Sequence, residues 1–254
     1  MTAAAQNRPI QSPHRARPGL GTMQQTPITG ISSMATRTLV DELASAYTAQ
    51  GGAPVAIESV GGVDAARRVQ EGEAFDVVVL SAEAIDKLTA AGRVLPGSRV
   101  DLVRSGVAVA VRAGAARPDI SSEAAVKAAV RAARNIGYST GPSGVALARL
   151  FERWGLADEL KDRTVVATPG VPVGALVARG EVELGFQQLS ELIHVGGIDL
   201  LGALPDSIQI TTTFSAGVCA SSGQPDAVRA MLAFMASPEA AEAKRRQGMD
   251  PATA

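Results

Sequence analysis

Apolar and polar positions along the chain switch repeatedly between a strand period and a helix period. From Gln24 to Gly30 a short β-prone run ends in Thr29-Gly30-Ile31-Ser32-Ser33, and a helical stripe of Leu39, Leu43, Ala46 and Tyr47 follows to about Gln50, with Ser32 or Ser33 as its N-cap. Pro54 to Ser59 predicts a second strand, and Gly61-Gly62 leads into a helix reaching about Glu71. Phe75 to Leu80 is almost continuously apolar and β-branched, and Ser81-Ala82-Glu83 opens a helix that ends before Gly92. A continuous apolar strand between two helices is the signature of a parallel sheet covered on both faces. Three such βα units in succession predict an α/β fold.

Arg99 to Arg112 is β-prone over an unusual length, and a second run of this kind spans Ile208 to Cys219. Between them lie a helix at Ser121–Arg134, a strand at Asn135–Tyr138, the turn Ser139-Thr140-Gly141-Pro142-Ser143-Gly144 into another helix, and a strand at Val165–Ala167. A short helix at Val171–Arg179 and a strand at Val182–Phe186 running into Gln187-Gln188 complete this middle part. The chain ends in helices at Pro225–Met235 and Pro238–Gln247, the second with Pro in its first turn. The two long runs read as crossover strands between two lobes, each a sheet flanked by helices. Lobe A takes 23–105 plus 212–254, and lobe B takes 106–211. Residues 1–22, with three prolines and little to bury, read as a disordered tail. A ligand in such a fold sits beyond the carboxyl ends of the strands.

Composition narrows the partners. With 24 basic against 25 acidic residues the net charge is −1, so no whole-molecule field exists to hold a nucleic-acid backbone. No apolar run is long enough to span a bilayer, which predicts no membrane insertion. Only four of the basic residues are Lys, and the Arg majority suits a small carboxylate or oxyanion. One cysteine, Cys219, and two histidines, His14 and His194, leave no basis for a disulfide or a Cys/His metal site, and no metal or cofactor is expected. The first twenty residues carry Arg8, Arg15 and Arg17 but no apolar h-region, so the sequence as written reads as cytoplasmic.

The loops at the strand ends share one chemistry. Ser32 and Ser33 follow the first strand, Ser59 the second, Ser81 the third, and Ser139 to Ser143 begin a helix of the middle part. Hydroxyls and free N–H groups converging there would make a metal-free anion site, although a single Ser before a helix is more often a plain cap. Gly141-Pro142-Ser143-Gly144 lacks the Lys and the spacing of a nucleotide-phosphate loop. Arg104, inside the first long β-run, is either paired, for example with Asp101, or a fork for a ligand carboxylate. Gln187 and Gln188, at a strand-to-helix junction, can donate to a ligand or cap. No Ser-His-Asp arrangement is visible. If the protein catalyses proton transfer, Glu58 is the first candidate base because it closes the second strand beside Ser59, and His194 is the second.

Gly30 to Ser33 before a long helix, Glu71-Gly-Glu-Ala-Phe-Asp-Val-Val-Val-Leu-Ser81, Arg99-Val-Asp-Leu-Val-Arg-Ser-Gly106, Ile136-Gly-Tyr-Ser139 and Leu184-Gly-Phe-Gln-Gln-Leu-Ser-Glu191 together resemble bacterial extracellular solute-binding proteins of the molybdate-binding type. The resemblance covers about residues 26–250. It implies a type II periplasmic-binding-protein-like fold of two α/β lobes closing on a small anionic ligand, a periplasmic location and an ABC transporter permease as partner. The family's loop serines would fall on Ser32 or Ser33, on Ser59 and on Ser139 to Ser143. Arg104 and Gln187-Gln188 look like those of a divergent branch that takes small organic acids and includes aconitate isomerases, which move a proton and a double bond. Three functions follow as expectations: a solute-binding protein for a di- or tricarboxylate or an oxyanion, a cofactor-free isomerase of an unsaturated tricarboxylate, and a ligand-sensing regulatory module.

Overall fold

The computed structural model describes residues 25–252. The tail predicted for 1–22, with His14, lies outside them. In chain order the elements begin β1 (Ile28–Ser33), α1 (Arg37–Ala49), β2 (Val55–Val60), α2 (Gly62–Gln70), β3 (Val77–Ser81) and α3 (Ala82–Ala90). The long strand β4 (Val100–Arg112) leads to α4 (Glu123–Ala132), β5 (Ile136–Ser139), α5 (Pro142–Arg153), α6 (Ala157–Leu160), β6 (Thr164–Ala167), α7 (Val173–Ala178), β7 (Leu184–Gln188) and α8 (Leu189–Leu192). The remainder is β8 (Ile198–Ala203), β9 (Thr211–Val218), α9 (Pro225–Ala236), α10 (Ala241–Arg246) and β10 (Asp250–Pro251).

The strands connect in the order β2-β1-β3-β9-β4-β7-β5-β6, with β8 and β10 both on β4. β1 is parallel to β2 and β3, and β5 is parallel to β6 and β7, while β9 and β4 run antiparallel to their neighbours. One strand serves two sheets: β4 pairs with β9 over Val100–Gly106, with β7 from Val107 and with β8 from Ala108. The cores divide accordingly. One gathers Ile28, Leu39, Val79, Leu102, Phe214, Met231 and Met249; a second gathers Val107, Val130, Leu147, Phe151, Leu184, Phe186 and Ile208. Helix α9 buries Val228, Met231, Leu232 and Met235 in the first of these. The fold is mixed α/β, two-lobed and flanked by helices.

Local chemistry explains the elements and the departures from expectation. β3 is buried at Val77, Val78, Val79 and Leu80, as a strand covered on both faces must be. α4 starts on Ser122, whose hydroxyl accepts from the N–H of Ala125 at 3.2 Å. At the first strand the expected cap is absent. β1 runs on through Ser32 and Ser33, a single 3₁₀ turn at Met34–Thr36 intervenes, and neither serine side chain caps a helix. The last helix likewise begins as a 3₁₀ turn at Pro238–Ala240 before α10. β8 was not anticipated, because Ile-Asp-Leu-Leu-Gly-Ala is half-buried without alternation. Gly144 has a positional reason: a Cβ there would run into the carbonyl oxygen of Ser139, so only glycine lets α5 start so close to the end of β5.

Candidate functional site

The carboxyl ends of β1, β3, β5, β6 and β7 open onto one cleft of about 790 Å³, within the range of small-molecule sites. Ser33, Gly61-Gly62 and Ser81 line one side. Ser139 to Ser143, Thr168 to Pro172, Gln187, Gln188 and Glu191 line the other. Two valines, Val63 and Val145, stand exposed at the lips of the cleft.

Several polar atoms here lack a partner among the described residues. Ser33 Oγ is buried without a hydrogen bond, because the turn that follows is not capped by it. Gln188 donates from Nε2 to Thr212 Oγ1 at 2.8 Å, leaving Oε1 buried and unpartnered. With the amide turned over, Thr212 would donate and the NH₂ group would be the unpartnered end, which is the orientation an anion would select. α5 is preceded at its cap position by Gly141, which has no side chain with which to cap the first turn. Ser81 does act as a cap, though a long one, accepting from Ala84 N–H at 3.4 Å.

Gln187 is fully engaged. Its Oε1 accepts from Gly174 N–H at 3.3 Å and its Nε2 donates to Glu191 Oε1 at 2.8 Å. Burial pushes the Glu191 carboxyl up to about 7, against a smaller downward pull from Gln187. The other carboxyl lining the cleft, Glu83, is held below its ordinary value by the hydrogen bond from Lys87, at 2.7 Å. Arg67 is bound up with Asp64 and Glu71. Arg149, on α5, lines the cleft with no ion-pair partner within bonding distance among the described residues.

Among the residues expected from sequence, Ser33, Ser81, Ser139, Ser143, Gln187 and Gln188 come together at this cleft. Five others do not. Ser32 is wholly buried and hydrogen-bonds across the sheet to Ser59 at 2.7 Å, so these two hydroxyls satisfy each other behind the cleft wall. Arg104 projects exposed from β4, opposite Thr213 on one side and Asp250 on the other, and is absent from the cleft lining. Alternation along the strand turns it outward while Val103 and Ser105 turn inward. Glu58 is exposed and ion-paired with Arg68 at 2.6 Å. His194 is exposed, with Nε2 2.7 Å from Gln247 Oε1, in a surface network that continues to Glu42. Sequence reasoning passed over Glu191 and Arg149. The first had a signal, since it stands four residues after Gln187 across a strand-to-helix junction and so returns to the same face.

No group of three or more His, Cys, Asp or Glu side chains able to hold a metal occurs among the described residues, and no helix there is long and apolar enough to cross a membrane. A cleft between two α/β lobes, at the carboxyl ends of their strands, defines a type II periplasmic-binding-protein-like molecule. The chain belongs to the bacterial extracellular solute-binding protein family, whose sequence model matches residues 28–250. It is 41% identical over 243 residues to an aconitate isomerase of a Pseudomonas species, covering 93% of this chain and 92% of that protein. The fold is shared with the periplasmic molybdate-binding protein of Azotobacter vinelandii (TM-score 0.72, 22% identity, 87% of this chain and 98% of that one). It is shared equally with the sulfate-binding protein of Mycobacterium tuberculosis (TM-score 0.72, 20% identity, 90% and 88%).

Proposed function

We propose that the protein binds an unsaturated tricarboxylate in this cleft and interconverts its cis and trans isomers by moving one proton. The ligand lies between a lobe of residues 25–105 with 212–252 and a lobe of residues 106–211. Ser33, Ser81, Ser139, Ser143, Gln188 and the first N–H groups of α5 face its carboxylates, and Arg149 supplies the charge that Arg104 does not. The observation that carries this reading is the set of unpartnered polar groups at the cleft, Ser33 Oγ and the Gln188 amide above all, on a chain that is 41% identical over nearly its whole length to an aconitate isomerase. Preorganised donors suit both the ground-state carboxylates and the dienolate that forms when a carboxyl-activated methylene loses its proton.

Binding without turnover, with delivery to an ABC transporter permease, is the second reading, and membership of the solute-binding family favours it. Proton NMR of purified protein with cis-aconitate and, separately, with trans-aconitate separates the two. Approach to the same isomer ratio from both sides supports the isomerase. Tight binding by calorimetry with no isomer formed from either acid overturns it and leaves the receptor.

A further inference from the structure

We propose that Glu191 is the catalytic residue of this reaction, taking the proton from one end of the substrate's allylic unit and returning it to the other, with Gln187 as its positioning residue. The inference rests on the isomerase reading and adds to it the group that moves the proton. Elimination and geometry point the same way. Among the described residues the cleft lining contains no His, Cys, Tyr or Asp, and its carboxyls are Glu83 and Glu191. Glu83 is tied to Lys87 at 2.7 Å, which makes it a poor proton acceptor. Glu58 and His194 are outside the cleft and occupied elsewhere.

Glu191, by contrast, is fixed through one oxygen only. Gln187 Nε2 holds Oε1 at 2.8 Å, and Gln187 is itself pinned by Gly174 N–H at 3.3 Å, so the carboxyl is oriented by a side chain that a backbone N–H fixes in turn. No hydrogen bond reaches Oε2 among the described residues. A base that titrates near neutral pH is at its most effective for such a transfer, and burial brings Glu191 to about 7. The elements packed on α8 do not disturb it. The 3₁₀ turn after β1, α7 and β7 carry no charged residue, and of the charges on β4, Asp101 is held by Arg99 and Ser215 while Arg104 and Arg112 are exposed. Across the cleft the charged groups are Arg67, Glu83, Lys87 and Arg149.

The step balances without a co-reactant. Carboxylate Oε2 takes a proton from the methylene carbon, that C–H pair becomes the new double bond, and the old double bond's electrons spread into the adjoining carboxylate. The same proton is then delivered to the former vinyl carbon, forming its C–H bond and regenerating the carboxylate. Nothing is oxidised or reduced.

The test uses the full chain, trans-aconitate as substrate and tricarballylate as the saturated, unreactive ligand. Glu191→Gln is expected to lower kcat by about 10²–10⁴-fold while tricarballylate affinity stays within a few-fold, and Glu191→Asp to fall between it and the wild type. Gln187→Leu is expected to move the acid limb of the kcat profile to higher pH, because it removes the hydrogen bond that favours the carboxylate. Glu191→Gln retaining kcat within tenfold of wild type overturns the assignment of Glu191. An unshifted profile in Gln187→Leu overturns the positioning role. A wild type that binds tricarballylate but converts neither isomer overturns the isomerase reading itself, a result distinct from the other two.

Discussion

Ser32 and Ser59 face each other across the parallel β1–β2 ladder as register partners, and their hydroxyls lie 2.7 Å apart. The adjacent Ser33, one step along the same strand, has the opposite side-chain direction and a buried hydroxyl with no partner. Removing either hydroxyl therefore has a different consequence. Ser33→Ala is expected to weaken tricarboxylate binding by roughly tenfold, the loss of one charge-assisted hydrogen bond of about 1.5 kcal/mol. Ser32→Ala is expected to leave affinity within twofold and to cost about 1 kcal/mol in urea unfolding. Calorimetry and denaturation on the two variants check both halves.

That pair also shows where sequence reasoning stopped. The α/β alternation, the long β4 and the buried β3 were legible because period and length mark them. Which of two neighbouring serines faces the cleft was not, since a strand that ends one residue later exchanges the two directions. Arg104 failed for the same reason: β-propensity located its strand, but only the pairing of β4 with β9 and β10 shows it turned to solvent. Glu191 was concealed differently. Its raised proton affinity comes from burial, and burial depends on how α8 packs on β4 and β7, which no local pattern states.

Arg149 lines the cleft and Arg104 does not. Arg149→Ala is expected to raise the dissociation constant for a tricarboxylate by about fivefold, the modest effect of an exposed guanidinium, and to flatten its salt dependence. Arg104→Ala is expected to leave both unchanged. Titrations at two ionic strengths are enough, and a loss of affinity in Arg104→Ala would return that residue to the site.

Asp76, at the end of β3 away from the cleft, is a structural carboxylate. Burial raises its proton affinity, but hydrogen bonds from Ser222 Oγ at 2.6 Å, Thr29 N–H at 2.9 Å, Gln224 Nε2 at 3.2 Å and Thr29 Oγ1 at 3.1 Å outweigh burial and hold it below its ordinary range. The folded value lies under the unfolded one, so the stabilisation is present above the unfolded value of 3.8 and is lost as pH falls through the folded value. Asp76→Ala is expected to cost about 3 kcal/mol at pH 7 by stranding these donors, with the deficit shrinking at low pH and ligand affinity unaffected. Thermal melts of variant and wild type between pH 2.5 and pH 7 provide the comparison.

Glu191 has the opposite sign. Its folded value of about 7 lies above the ordinary 4.5, so the folded state holds a proton that the unfolded chain has already released between those values. Below pH 4.5 both states are protonated and nothing is lost; stability falls as pH rises toward 7 and levels off above it. The full interval corresponds to about 3 kcal/mol of destabilisation at pH 8. Glu191→Gln keeps the volume and can still accept from Gln187 Nε2 while removing the charge. It is expected to melt higher than wild type at pH 8, with the advantage gone at pH 4, even as isomerisation is lost. Equal melting temperatures for Glu191→Gln and wild type at pH 8 would show that the carboxyl is solvated there and ordinary in its titration.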